Sequence, residues 1–346
     1  MAVVARTYRG SLPDLAHHGR IVVADTEGRI LFWYGDPLAV TFARSGAKPI
    51  QAVALCESGA LEACGITDRE LAVVCASHNG QPEHVEIVKG ILEKGGLSAG
   101  QLLCGRAYPV FEPEKLAMLL QGLPPDELHC DCSGKHAGIL LTAKHYGEDL
   151  ACYADLDSPA QRRINQILCD ICACSPKMLS VAVDGCGLPV HAAPMVKFAQ
   201  GYARMTRPEL FGMRRAAAVQ RIVSAMTAHP FEVAGTGRLC TGLMEHFGDR
   251  LFCKSGAASF YAIGLLGRGI GIAVKLEDGC SEFMPGVVLH LLVQLGVISS
   301  QEKLQMREYW DQDIRNHHGQ VVGRKEIDFT LKTGNTQREA YWDEFG

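Results

Sequence analysis

Three short motifs constrain this chain more than any other feature of its sequence. They lie at residues 45–48 (SGAK), 77–79 (SHN) and 254–256 (KSG), and they have the forms S-x-x-K, S-x-N and K-[ST]-G in that order. The set supplies nucleophilic hydroxyls and two lysines that could activate them, so that no histidine base is needed. Each motif alone arises by chance in many chains. All three in this order predict a fold that brings the three segments to one site of serine acyl transfer.

The residues around the first motif predict a helix. Pro49 directly follows Lys48 and apolar residues come next, so we expect a helix that begins near Ala47 and ends near Gly65. Ser45 would lie one turn before Lys48, where a hydroxyl and an amine on one helix face can form a hydrogen bond. The helix would direct the Lys48 amine toward the core, and burial would lower its pKa, as a base at neutral pH requires. A serine helix cap with a solvated lysine is the alternative.

The second and third motifs are predicted at the ends of buried strands. The apolar run at 71–76 favours a short strand before Ser77, followed by a turn at residues 79–80 and a helix that begins at Pro82. Lys254 falls in a strand that runs into a glycine-rich turn, and a second strand follows at 269–276. Loops at the ends of such elements often carry catalytic side chains. The alternatives are that residues 79–80 form only a turn and that Lys254 protects the edge of a sheet.

Charge and apolar patterning exclude several classes of partner. The 346 residues include 34 lysines and arginines against 38 acidic residues, a net charge of −4, with no run of basic residues. We therefore expect no nucleic-acid partner and no electrostatic membrane anchor. The N-terminus lacks the apolar region of a signal peptide, and the longest apolar stretch, 283–298, is too short and too interrupted to span a bilayer. Fourteen scattered cysteines then favour reduced thiols in a cytoplasmic protein.

Strands at both ends of the chain, with helices between them, predict an α/β (α+β) fold. A hairpin is expected at 20–25 and 29–34, and further strands are expected between 250 and 276. Helices are expected near 49–64, 83–95, 114–121, 134–146, 159–174, 208–228 and 286–296. We predict one composite domain over residues 1–329, in which an antiparallel sheet from about 1–40 and 250–300 packs with a mainly helical region at about 45–230. Residues 330–346 are predicted to form a polar tail.

Two cysteine-bearing loops, at 131–136 and 184–189, have the glycines typical of loops that line a pocket. Cys132 and Cys186, together with a histidine or a carboxylate, could bind zinc. Their spacing lacks the paired C-x-x-C of a zinc finger, so buried free thiols are the alternative. A second cluster, at residues 169, 172 and 174, falls in an apolar helical pattern, and we interpret it as part of the core.

Five segments resemble one enzyme family. They are residues 44–51 (RSGAKPIQ), 77–80 (SHNG), 132–138 (CSGKHAG), 184–189 (DGCGLP) and 254–256 (KSG). In this order they resemble the rhizobial-type, or class 3, L-asparaginases, and the similarity extends over about residues 5–329. The resemblance implies a fold similar to serine β-lactamases and glutaminases, a homodimer, and hydrolysis of L-asparagine to L-aspartate and ammonia.

The resemblance implies two adjoining Ser–Lys pairs, Ser45 with Lys48 and Ser77 with Lys254. On this basis we expect Ser45 to attack the side-chain amide carbon after it loses its proton to Lys48. Ser77, polarised by Lys254, would pass a proton to the departing ammonia, and water would hydrolyse the aspartyl ester. Two neighbouring ammonium groups disfavour each other's charge, so at least one of these lysines should be neutral near neutral pH.

The resemblance also implies a Zn²⁺ site. Cys132, Lys135 and Cys186 would bind the ion, with water completing the shell, and Asp184 and His136 would face the pocket near the metal. The lysine ligand is implied by the resemblance alone. We expect the zinc to orient the substrate rather than to generate hydroxide, because a hydrolytic metal would make the serines redundant.

Substrate contacts are expected from two further residues. Arg44 could hold the α-carboxylate of the substrate through a bidentate contact, with a surface arginine as the alternative, and Asn79 is expected in the substrate site. Residues 255–259 (SGAAS) depart from the family pattern, so the resemblance does not predict which residues form that wall of the pocket.

The sequence is compatible with two alternative functions. One is a glutaminase or other small-amide serine hydrolase, and the other is a zinc-binding, catalytically silent amino-acid sensor.

Overall fold

Most strands of this protein form one antiparallel sheet that is assembled from both ends of the chain. The computed structural model describes residues 2–333. The strands are β1 (Ala2–Arg9), β2 (Leu12–Asp25), β3 (Ile30–Tyr34), β4 (Val40–Phe42), β5 (Ser180–Val183), β6 (Pro189–Pro194), β7 (Leu251–Gly256), β8 (Phe260–Leu265), β9 (Ile270–Leu276), β10 (Asp313–Arg315), β11 (Val321–Ile327) and β12 (Lys332–Thr333). The main sheet has nine strands in the order β10-β11-β1-β2-β9-β8-β7, with β3 paired to β2 and β12. The predicted antiparallel sheet from both termini is therefore confirmed.

The centre of the sheet is the long strand β2. It pairs with β9 on one side, and on the other side with β1 along its first half and β3 along its second half. The predicted hairpin turn between β2 and β3 is present, because the Asp25 carboxylate accepts hydrogen bonds from the backbone N–H groups of Glu27 and Arg29. Three smaller strands form a second sheet in the order β4-β6-β5.

The helices lie mostly between the two groups of strands, as predicted. They are α1 (Lys48–Gln51), α2 (Val53–Ser58), α3 (Ala60–Ala63), α4 (Asp68–Val74), α5 (Pro82–Lys94), α6 (Glu112–Leu120), α7 (Ser133–His145), α8 (Pro159–Ile171), α9 (Met195–Met205), α10 (Met213–Ala228), α11 (Pro230–Ala234), α12 (Leu239–Phe247), α13 (Met284–Gln294) and α14 (Ser300–Gln305). The single helix expected from 49 to 64 is instead three short ones. It is interrupted because Gly59 adopts a left-handed conformation, with φ +87°.

Helix α9 was not predicted, yet it packs directly on strands β2, β8 and β9. The approach is close because Gly271 has no side chain: a β-carbon there would lie 1.9 Å from the carbonyl oxygen of Ala199. Glycine at this position of β9 therefore allows helix and sheet to share one core.

The strand predicted at 71–76 is wrong, because residues 71–74 belong to helix α4 and the helix ends there. Thr67 caps the helix: its hydroxyl accepts from the backbone N–H of Glu70, whose carboxylate accepts from the N–H of Thr67. The helix is buried on several sides, so its apolar residues show no amphipathic period. Ser77 thus follows a helix rather than a strand.

The predicted polar tail begins later than expected. Leu331 packs against the core, and strand β12 pairs with β3. The rest of the tail, residues 334–346, lies outside the described residues. No helix within residues 2–333 has the length and apolar character needed to cross a membrane.

Candidate active site

The three motifs meet at the hydroxyl of Ser77. Lys48 Nζ donates a hydrogen bond to Ser77 Oγ at 3.0 Å, and Lys254 Nζ donates to the same atom at 3.0 Å. Both lysines are buried, with exposed fractions of 1% and 0%. One hydroxyl therefore bridges two buried amines that are far apart in the sequence.

Ser45 and Lys48 were expected to form a hydrogen bond, but none joins them within residues 2–333. The Lys48 amine instead has three acceptors, at 2.6 Å (Ala76 O), 3.0 Å (Ser77 Oγ) and 3.3 Å (Asp131 O). These three acceptors match the three N–H donors of an ammonium group, which explains why the Lys48 side chain reaches residues outside the first motif. Ser45 remains half-buried, and its hydroxyl has no hydrogen-bond partner within residues 2–333. The predicted Ser77–Lys254 contact is present.

The two lysines differ in their electrostatic surroundings. Burial is the main factor that lowers the pKa of Lys254 to about 8; the positive charges of Lys48 and Arg238 contribute, and Cys240 opposes the shift. Burial also acts to lower the pKa of Lys48, but the electrostatic effects of Cys132, Asp131 and Cys186 outweigh it and raise that pKa above its usual value. The predicted lowering of the Lys48 pKa is therefore wrong, and Lys254 is the amine that loses its proton more easily.

The Ser45 turn is held by tight packing against strand β7. Arg44 has a left-handed backbone, with φ +49°, and begins a 3₁₀ turn at Arg44–Ala47 that leads into α1. Tyr202 donates a hydrogen bond from its hydroxyl to Gly46 O at 2.7 Å. A β-carbon on Gly256 would lie 2.5 Å from Ala43 O. The glycine of the K-S-G motif is therefore needed because β7 passes directly against the turn that carries Ser45.

The loop that carries Ser77 is fixed through the buried side chain of His78. The N–H of Gly80 donates to His78 Nδ1 at 3.2 Å, so the neutral ring carries its proton on Nε2 and donates to Ser133 Oγ at 2.9 Å. Burial keeps the pKa of His78 well below its usual value, which leaves the ring neutral. The S-x-N loop is thereby attached to the first residue of α7.

Asn79 connects this loop to the segment before α12. Its backbone N–H donates to Ala234 O at 3.0 Å, and its side-chain Nδ2 donates to Thr236 O at 3.3 Å. A β-carbon on Gly235 would lie 2.2 Å from Asn79 Oδ1. Asn79 was expected in the substrate site; it is not among the described residues that line the cavity below, and its contacts hold the neighbouring segment.

A cavity of about 400 Å³ contains both serines in its wall. Residues 255–259, where the sequence departs from the family pattern, form one side of it. Polar side chains that also line the cavity include Asp131, Arg238 and Ser259, none of which was a predicted site residue. Asp131 directly precedes the cysteine of a segment that the motifs did identify, and Arg238 follows a Gly-Thr-Gly turn, but neither pattern is specific.

Three predicted pocket residues lie outside the lining of this cavity. Arg44 and Asp184 form an ion pair with each other through Nη2 and Oδ1, which engages the charges of both. His136 is fully buried, and its Nδ1 lies 2.6 Å from the hydroxyl of Tyr153. Burial lowers the pKa of His136 to about 3. The expected substrate contacts of Arg44, His136 and Asp184 therefore stay predictions, with Arg44 and Asp184 paired to each other.

The three expected zinc ligands do lie together. Cys132, Lys135 and Cys186 are all buried, and Lys135 Nζ lies 3.5 Å from Cys186 Sγ. Hydrogen bonds from the thiols of Cys130 and Cys186 hold the pKa of Cys132 well below its usual value. Within residues 2–333 no cluster of three or more His, Cys, Asp and Glu side chains is placed to hold a metal ion. Thiolate sulfurs are common zinc ligands, whereas the lysine amine is not an ordinary one.

The sequence matches one protein family, described as L-asparaginase II, over residues 5–327. No curated protein matches the chain. Among solved structures, Mglu in its native form has 15% sequence identity and a TM-score of 0.37, over 81% of this chain and 64% of that chain. A β-lactamase from Mycobacterium bovis has 11% identity and a TM-score of 0.36, over 80% of this chain and 94% of that chain. The chain thus spans less than two thirds of Mglu in that form, and at these TM-scores neither likeness bears on activity.

Proposed function

The chain belongs to the L-asparaginase II family, as its motifs predicted, and we propose that it hydrolyses L-asparagine to L-aspartate and ammonia. Membership of this family makes it an amidohydrolase. The observation that carries the proposed mechanism is the pair of 3.0 Å hydrogen bonds from Lys48 and Lys254 to Ser77 Oγ, in a cavity wall that also contains Ser45.

The two serines have different tasks in this proposal. A hydroxyl has one proton and two lone pairs, and the Ser77 oxygen is engaged by two amines at once. It is therefore suited to move protons and poorly placed to attack. Ser45 has no such partner within the described residues, so its oxygen is free to approach a substrate carbon.

The reaction then has two stages. Ser45 Oγ forms a bond to the side-chain amide carbon, and its proton enters a chain in which Ser77 receives it and gives its own proton to neutral Lys254. The Lys48 ammonium group keeps its charge and donates to Ser77 Oγ. The carbon–nitrogen bond breaks as Ser77 passes a proton to the leaving nitrogen, which departs as ammonia. Water then attacks the aspartyl ester and gives one proton to the same chain and thence to Ser45, which releases L-aspartate.

We also propose that Cys132, Lys135 and Cys186 hold a zinc ion, as the family resemblance implies. The contact between Lys135 and Cys186, the burial of all three residues and the two thiol sulfurs support this. A bound zinc would supply a Lewis acid that orients the substrate. None of the three residues belongs to the lining of the serine cavity. The proton transfers described above involve only the serines and the lysines. Elemental analysis of protein purified without added zinc tests this proposal. If the Cys132→Ala variant contains as much zinc as the wild-type protein, Cys132 is not a ligand.

We propose further that the enzyme is a cytoplasmic homodimer. The dimer follows from the family resemblance, and light scattering on the purified protein tests it. The cytoplasmic setting is supported by fourteen free cysteines, most of them buried in the core.

Ammonia release from L-asparagine and from L-glutamine, measured beside the colour change of a chromogenic β-lactam, tests the substrate. We expect L-asparagine to be the best substrate of the three and Ser45→Ala to abolish its turnover. Faster release from L-glutamine would instead identify a glutaminase. Binding of L-asparagine by calorimetry without any ammonia would identify a silent amino-acid sensor.

A further inference from the structure

We infer that Arg238 binds the α-carboxylate of the amino-acid substrate and that Asp131 binds its α-ammonium group. This inference rests on the proposed function and adds to it the residues that select an amino acid among small amides. It replaces Arg44 as the carboxylate-binding residue, because Arg44 is paired with Asp184 and lies outside the cavity lining.

Arg238 is the one cationic side chain among the described residues that line the cavity. It is half-buried, and its guanidinium makes no hydrogen bond or ion pair within residues 2–333. The amines of Lys48 and Lys254 are already engaged by Ser77, so they are not free to take a carboxylate. A planar guanidinium matches a carboxylate through two parallel hydrogen bonds. An unpaired arginine that lines the same cavity as Ser45 therefore fits the α-carboxylate of an amino acid.

The position of Arg238 is fixed relative to the serines. The backbone N–H of Ser77 donates to Val233 O at 3.2 Å, and that of Asn79 donates to Ala234 O at 3.0 Å. Gln81 Oε1 accepts from the N–H of Thr236 at 2.9 Å. The segment that leads to Arg238 is thus attached to the Ser77 loop by two backbone hydrogen bonds and one to the Gln81 side chain. Such preorganisation lowers the ordering cost of binding a substrate between the two.

Asp131 and Ser259 add two further polar groups to the same wall. Asp131 lines the cavity, and its backbone carbonyl accepts from Lys48. Its carboxylate accepts a long hydrogen bond from the Cys130 thiol, at 4.0 Å, and forms no ion pair with any residue from 2 to 333. Ser259 is only 3% exposed, its hydroxyl has no partner, and its backbone is left-handed with φ +57°. A buried hydroxyl without a partner is costly, and a strained backbone often marks a functional site.

The charges of the cavity therefore match those of a zwitterion. L-Asparagine carries a carboxylate and an ammonium group on its α-carbon and a neutral amide on its side chain. With the amide carbon at Ser45, the two α-substituents need one cation and one anion that take no part in the proton transfers. Arg238 and Asp131 are the charged residues of the described cavity lining that meet this condition.

Three substrates and four variants test the inference. β-Alaninamide is L-asparagine without its α-carboxylate, and succinamic acid is L-asparagine without its α-ammonium group. In Arg238→Met we expect the ratio of kcat/KM for L-asparagine over β-alaninamide to fall about 100-fold, mainly through KM, as expected for a lost buried charge pair. Asp131→Asn should lower the ratio for L-asparagine over succinamic acid in the same way. Arg238→Lys should restore part of the first ratio, because the charge returns without the bidentate fork.

The matched control is Arg268→Met, which makes the same change on the exposed turn between β8 and β9. It should keep both ratios at their wild-type values. If Arg238→Met and Arg238→Lys also keep the wild-type ratio for β-alaninamide, the inference is wrong and the proposed function stands.

Calorimetry with L-aspartate separates the two proposals. If wild-type protein releases no ammonia from L-asparagine, the proposed function fails. Binding of L-aspartate that weakens about 100-fold in Arg238→Met would still support the amino-acid site. Absent or unchanged binding would overturn it.

Discussion

The surroundings of Lys48 and Lys254 differ although the two lysines share most of their features. Both are buried, and both donate to the same hydroxyl at the same 3.0 Å distance. Yet the pKa of Lys254 is lowered to about 8, whereas that of Lys48 is raised. The difference arises from neighbouring charge: Lys48 faces Cys132, whose own pKa is low, and the Asp131 carboxylate, and Lys254 faces Lys48 and Arg238 as well as Cys240.

The comparison shows that burial alone does not make a lysine a base. Burial disfavours the ammonium form of both amines, but a surplus of nearby anions reverses the outcome for Lys48. We therefore assign the proton acceptor to Lys254 and a cationic role to Lys48. Substitutions that remove either amine, and one that affects neither, distinguish these two roles.

The largest effect is expected from Lys254→Met, which removes the acceptor. We expect kcat for ammonia release to fall by about 1,000-fold or more, as for the loss of a general base that acts with a nucleophile. Lys89→Met on the exposed face of α5 is the matched control and should retain full activity. A drop of less than about tenfold in Lys254→Met would contradict the assignment.

The pH dependence of kcat/KM should follow the same group. The neutral amine of Lys254 is the active form, so kcat/KM should rise with pH, reach half its plateau near pH 8, and decrease about tenfold for each pH unit below that. Initial rates of ammonia release across the range give the profile. A profile that is flat through pH 8, or that falls as pH rises, would show that another group controls the reaction.

Lys48→Met should move that midpoint. Because the Lys48 charge lowers the pKa of Lys254, its removal should raise the pKa and shift the midpoint upward by up to about one pH unit. The residual activity of the variant, measured over the same pH series, reports the shift. An unmoved or lower midpoint would mean that the two amines are not electrostatically coupled.

The smallest effect is expected from Thr67→Ala, which affects neither lysine. It removes the cap of α4, the helix that precedes Ser77, and should lower the free energy of unfolding by about 1 kcal/mol. Urea denaturation measures this change. The pH midpoint should stay at its wild-type value, and a shifted midpoint would show that the helix end, rather than local charge, sets the pKa of Lys254.

The sequence allowed the segments of the site to be predicted, but not their contacts. The motifs identified both serines and both lysines, because these patterns are short and local. The spacing of Ser45 and Lys48 predicted a direct bond between them. In the structure the acceptors of Lys48 come from residues 76, 77 and 131, and no local pattern reports such long-range partners.

The lack of information on long-range contacts also explains the other differences between the predicted and the observed structure. The apolar run at 71–76 is compatible with a buried strand or a buried helix, and the capping residues Thr67 and Glu70 decide for the helix. Arg238 belongs to no motif, and only the fold brings it to the cavity. The pKa of Lys48 depends on cysteines from two distant loops, so its direction could not follow from burial in one helix.

The position of the acyl group tests the central claim most directly. Wild-type protein is mixed with L-asparagine, quenched in acid within the first turnover, and digested for peptide mass spectrometry. The account predicts an aspartyl ester on the peptide that carries Ser45, its loss in Ser45→Ala, and its slower formation on the same peptide in Ser77→Ala. An aspartyl ester on Ser77 in the wild-type protein would contradict it.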